Sequence, residues 1–222
     1  MKKINTIDSA LSLERCADMI FSDPTYLSSS IIVRLLKKAG DLQCNNLLYP
    51  LFLRFYNLIG YSDIVTNELI DQYCRYYNLE GIADLYKLMK KDNILFSKST
   101  YEKFLLSLLR SIQYEHICIN ITREMFTQNY LISSTVLFKA LSLPAVCDSE
   151  IFIAILSLTK ANEIPVHKIE TILGKRLISF SKANREISVL ELYHYLSVLS
   201  PKKDRRSYIP YITKSLKYFF DR

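Results

Sequence analysis

The residue types that could bind metals or attack a substrate are present but scattered. Cys16, Cys44, Cys74, Cys118 and Cys147 stand far apart, as do His116, His167 and His194. No CxxC or CxxH pair occurs, and the two-residue spacing of His116 and Cys118 puts them on different faces of a helix. Neither a metal nor any other cofactor is expected; free thiols in a reducing compartment are. Ser, His and Asp occur without a positioned trio, and nothing resembles a nucleophile elbow, a HExxH pair or a two-metal carboxylate cluster. The chain therefore does not read as an enzyme. Gly40, Gly60, Gly81 and Gly174 are too dispersed for a loop that cradles phosphate.

Cations carry more information. Lys and Arg number 29 against 22 Asp and Glu, a net charge of +7. Seven basic and two acidic residues fall between Lys202 and Arg222, including the run KKDRR at 202–206. A basic surface suits polyanions, nucleic acid first and anionic membrane second, and the same excess also serves as an ordinary solvated surface.

Helices must position all of these groups. Half of the 222 residues are hydrophobic and 12% aromatic, which is ample for a core, while 4 Gly and 6 Pro are too few for a sandwich or barrel. Helical periodicity predicts helices over 8–21, 28–39, 42–59, 64–77, 79–92, 99–111, 115–128, 134–142, 148–161, 166–181, 188–199 and 209–220. Gly40 and Gly60 read as stops, Pro24, Pro144, Pro165 and Pro201 as breaks. Ser99 with Glu102, and Ser188 with Glu191, read as capping boxes. No run can span a bilayer: the most apolar, Leu47 to Tyr61, is short and holds Arg54 and Asn57. The first 21 residues mix Lys2 and Lys3 with Asp8, Glu14 and Asp18, which does not suit a mitochondrial transit peptide.

The pattern repeats. Residues 62–74 align with 97–109 at a period of 35, so that Leu69 and Ile70 superpose on Phe104 and Leu105, and Cys74 on Leu109. The stretch from Met89 to Ser97 matches that from Met125 to Ser133 at a period of 36, and weaker copies lie on either side. The segment IVTNELIDQYCRYYNLEGIADLYKLMKKDNILFS, 64–97, resembles a pentatricopeptide repeat. The resemblance rests on Thr66-Asn67, Leu69-Ile70-Asp71, Tyr73-Cys74-Arg75, Asn78-Leu79-Glu80, Leu85-Tyr86, Met89-Lys90-Lys91 and Ile94. Tyr77 stands where the family prefers a turn glycine, Phe96 where it prefers proline, and Ser97 where it often has aspartate. Tetratricopeptide repeats are a poorer match, since they expect a Trp and this chain has none.

The resemblance implies an all-α chain, an α-solenoid of stacked antiparallel hairpins over 1–222. Its best repeats are 62–96 and 97–132, with a basic last helix in 202–222. It implies first helices lining a groove for single-stranded RNA. A base would be met by an early first-helix residue with the residue opening the next repeat: Asn67 with Ser97, similar to pyrimidine-reading pairs, then Glu102 with Ser133, then a pair beginning at Phe138. Glu is unfavourable near phosphate, and Phe stacks without discriminating. Arg75, Lys98, Lys103 and Lys139 are candidates to neutralise phosphate, or are ordinary solvated cations. Asn67 equally suits a polar helix-start residue bonding local backbone. Tyr73, Tyr76, Tyr77 and Tyr86 suit packing better than base stacking.

The degenerate repeats resemble fungal mitochondrial factors that stabilise, process or aid translation of transcripts. A matrix location, with RNA and ribosomal or other ribonucleoprotein components as partners, is implied by that resemblance alone. The competing class is a protein-binding scaffold or assembly factor, to which a mean hydropathy of +0.08 also conforms.

Overall fold

The computed structural model describes residues 4, 7–141, 143, 154, 155 and 158. Apart from residues 154, 155 and 158 of the expected helix 148–161, the expected helices beyond 142, the capping box at Ser188, the KKDRR run, Cys147, His167 and His194 lie outside the described residues. Among those described, the secondary structure is eight α-helices and no strand: α1 (Ala10–Ser22), α2 (Ser29–Asp41), α3 (Asn45–Ile59), α4 (Asp63–Arg75), α5 (Leu79–Lys91), α6 (Lys98–Leu108), α7 (Glu115–Thr127) and α8 (Ser134–Leu141). Single 3-10 turns lie at Pro24–Tyr26 and Ile112–Tyr114. The chain divides into two compact units, 1–108 and 109–222.

In the first unit, α2, α4 and α6 pack in succession, and α2 and α4 each also pack on the helix that follows. Apolar residues at helical spacing cause this. Ile32, Leu35, Leu36 and Ala39 of α2 and Val65, Leu69, Ile70 and Tyr73 of α4 are all buried. The superposed pairs Leu69 with Phe104 and Ile70 with Leu105 are each fully enclosed, so the sequence period is also a period of burial. Such an all-helical array is compatible with a helical repeat.

The turns repeat as well. Gln43, Tyr77, Asn93 and Asn129 all have φ between 55° and 58°. At each, the following N–H reaches back five residues: Cys44 to Ala39 (2.8 Å), Asn78 to Tyr73 (2.9 Å), Ile94 to Met89 (3.0 Å) and Tyr130 to Met125 (2.8 Å). These are left-handed helix terminations that use carbonyls otherwise left unpaired. Gly60, with φ 94°, ends α3 as the sequence predicts.

Gly40 does not act as a stop. It lies inside the last turn of α2, and the left-handed residue comes three positions later, at Gln43. Its lack of a side chain serves packing instead. A Cβ there would strike the Gln72 side-chain amide, with Cδ at 2.8 Å, while the Tyr76 hydroxyl donates to the Gly40 carbonyl. The expected start at Ser99 also moves. The first turn of α6 is closed from Ser97, whose carbonyl accepts from Thr100 and Tyr101 N–H at 3.1 Å.

Phe96, at the position where the repeat resemblance leads one to expect proline, is a core anchor. It is 2% exposed, and its ring lies 5.0 Å from Tyr101, 5.1 Å from Phe104 and 6.0 Å from both Tyr61 and Tyr86. Tyr73 and Tyr86 are buried and Tyr76 half-buried, as packing requires, whereas Tyr77 is 69% exposed.

In the second unit, Ile117, Cys118, Ile121 and Met125 form the buried face of α7. Ile132 N–H donates to the Leu158 carbonyl at 2.9 Å. Among the described residues no helix is long and apolar enough to cross a membrane.

Candidate nucleic-acid interface

Asn67 sits in the second turn of α4 and is half-exposed. The backbone there is regular helix, so the side chain is free of the capping role open to a polar residue at a helix start. Its Oδ1 is buried without a hydrogen-bond partner. Its main-chain carbonyl accepts from Lys103 Nζ of α6 at 3.3 Å. The candidate base-contacting residue and a candidate phosphate-binding cation are thus neighbours on the packed helices α4 and α6.

Ser97 has other partners. Its hydroxyl lies 3.1 Å from both Ser99 Oγ and Thr100 Oγ1, and its N–H donates to Asp63 Oδ1 at 3.3 Å. The same Asp63 oxygen accepts from the Tyr61 hydroxyl at 2.5 Å and from Thr100 Oγ1 at 2.7 Å. Burial alone would raise the Asp63 pKa. The donors from Tyr61, Thr100 and Ser97 outweigh it and hold the carboxyl below its usual range. Tyr61 shifts the other way, pushed up first by burial and then by donating to Asp63. This cluster joins the beginnings of α4 and α6. A smaller counterpart, Ser29 Oγ to Ser62 Oγ at 3.0 Å, joins those of α2 and α4.

Glu102 occupies in α6 the position of Asn67 in α4. Its side chain is 18% exposed, and Oε1 has no hydrogen-bond partner. Burial raises its pKa, which Lys98 Nζ, 3.8 Å away, only partly opposes.

Three of the four described cations expected to meet phosphate already face a carboxylate. Arg75 lies 3.4 Å from Asp41 of α2, Lys98 pairs with Glu102, and Lys103 reaches Asp71 of α4 at 2.5 Å. Lys37 of α2 meets Glu68 of α4 at 3.6 Å. Residues 1–108 hold 13 Lys and Arg against 12 Asp and Glu, and 109–222 hold 16 against 10, so the positive excess falls almost wholly in the second unit. Lys139 and Phe138 lie on α8 of that unit, exposed and half-exposed respectively.

The acidic partners went unread in the sequence, although the period contains the signal. Opposite charges spaced by about one repeat, Asp41 with Arg75 and Asp71 with Lys103, fall on neighbouring helices once the 35-residue period is applied. No protein-family model matches the chain, and no curated protein matches it.

Proposed function

We propose that this chain is a pentatricopeptide-type α-solenoid of antiparallel hairpins that binds single-stranded RNA without catalysing a reaction. Its role would be that of a mitochondrial transcript stability, processing or translation factor. The observation that carries the reading is Asn67. It is half-exposed on α4, free of side-chain partners and one side chain away from Lys103. With its carbonyl turned inward, the side chain has N–H donors to offer a ligand, which suits the carbonyl acceptors of a pyrimidine. Stacked helical repeats supply the extended surface that a single strand needs. Organellar location and a ribonucleoprotein setting rest on the repeat resemblance.

A titration of fluorescent single-stranded RNA pools at low and moderate salt tests this. Asn67→Ala is expected to weaken one preferred pyrimidine-containing RNA by about 1–3 kcal/mol, the scale of one base contact, without lowering the melting temperature. No binding even at low salt would end the RNA reading.

The second reading is a protein-binding scaffold, favoured by one observation. Arg75, Lys98 and Lys103 are each engaged by an acid, which weakens a surface as a polyanion binder. Under that reading neither Asn67→Ala nor charge reversal at Lys98 and Lys103 alters anything measured with RNA.

A further inference from the structure

We infer that Asp41 and Asp71 set the affinity of this surface for single strands: they act as resident competing anions that hold Arg75 and Lys103 back from phosphate. The inference rests on the RNA-binding reading above. Lys103 Nζ is bracketed between Asp71 Oδ2 at 2.5 Å and the Asn67 carbonyl at 3.3 Å, so its donors point into α4. Arg75 Nη1 is held toward Asp41 Oδ1 at 3.4 Å. Both pairs are solvated, with side-chain exposures of 36% and 52% for Lys103 and Asp71, and 56% and 63% for Arg75 and Asp41. Exposed pairs are weak, so a phosphate can displace the carboxylate, yet every such contact must first break an existing one.

The effect on binding is general. Phosphate contacts are common to all RNA sequences, whereas base contacts are not. An internal anion that competes with phosphate lowers affinity for every strand alike. A strand that also gains a base contact, as at Asn67, bears the same penalty from a higher starting affinity. The ratio of affinities between strands is unchanged; what falls is the occupancy of the surface by strands that have phosphate contacts alone.

The test uses the full chain with Asp71→Asn, Asp41→Asn and the control Asp84→Asn, each titrated with mixed-sequence and pyrimidine-rich single-stranded RNA across a salt series. Asp84 pairs with Lys87 within α5 at 3.2 Å, so its variant makes the same charge change on a following helix. Asp71→Asn and Asp41→Asn are each expected to tighten both RNAs by about two- to fivefold at low salt, the scale of an exposed pair. They should also steepen the salt dependence, by about 0.7 in log–log slope per cation freed. The preference for pyrimidine-rich RNA should be unchanged in both variants, because the penalty removed is common to all strands; a changed preference would overturn the inference. Asp84→Asn should leave affinity within about twofold of the parent chain.

If the parent chain binds RNA and Asp71→Asn and Asp41→Asn bind no tighter, or Asp84→Asn tightens equally, the inference falls while RNA binding stands. If neither parent nor variants bind, both fall. Melting curves of all three variants are expected to match the parent; a lowered melting point with no gain in binding makes Asp41 and Asp71 purely structural and overturns the inference.

Discussion

Thr100, in the first turn of α6, donates its hydroxyl to Asp63 Oδ1 of α4 at 2.7 Å, across 37 residues of chain. Ser97 Oγ caps that turn locally, accepting from Thr100 N–H at 3.4 Å. Asp63 of α4 adds the acid, accepting from Ser97 N–H as well, and fastens two helices at once. Asp63→Ala leaves Thr100, Ser97 N–H and the Tyr61 hydroxyl without their acceptor and is expected to cost about 2 kcal/mol at neutral pH. Because the folded carboxyl titrates below its ordinary range, its stabilisation is present above that range and is lost as pH falls through the folded pKa. Denaturant unfolding of Asp63→Ala and the parent should therefore differ at pH 7 and converge on acidification.

Phe96 contacts four aromatic rings at almost no exposure. Phe96→Ala should cost about 3–5 kcal/mol, and Phe96→Leu clearly less, because it leaves a smaller cavity. Equilibrium unfolding of the two variants measures the difference.

Tyr77 holds φ 58° while exposing most of its surface. A side chain in that region costs about 1–2 kcal/mol, and glycine avoids it. Greater freedom of the unfolded chain returns part of the gain. Tyr77→Gly is expected to stabilise by about 0.5–1 kcal/mol, read as a rise in melting temperature.

Glu102 lies in the opposite situation to Asp63. Burial raises its pKa, so the folded state favours the protonated form and loses stability as pH rises past the ordinary Glu range. Glu102→Gln removes the buried charge and keeps the shape. It should raise the melting temperature at pH 7 and change it little near pH 4; an equal effect at both would show that charge is not the cause.

Helix existence was legible because burial follows the 3.6-residue period throughout: Ile32, Leu35, Leu36 and Ala39 are as enclosed as their spacing demands. Turn details were not. Gly40 looks like a terminator in one dimension, but its meaning comes from Gln72, 32 residues later and on another helix. Ser99 and Glu102 have the spacing of a capping box, yet Asp63 supplies the acid from α4, which no local pattern records. The candidate interface was half legible. Asn67 emerges from the repeat pattern. The restraint on Lys103 and Arg75 depends on acids a repeat away, invisible until helices are set side by side.

The left-handed turns at Gln43, Tyr77, Asn93 and Asn129 are closed by main-chain N–H and C=O groups, which every residue but proline possesses. Gln, Tyr and Asn all serve there, so a glycine can be lost at the cost of about one substitution's worth of stability. A pattern written in turn residues would then change sooner than the architecture those turns maintain. Helices closed in this way can hold their register while the letters at their ends vary, because the spacing is kept by backbone geometry.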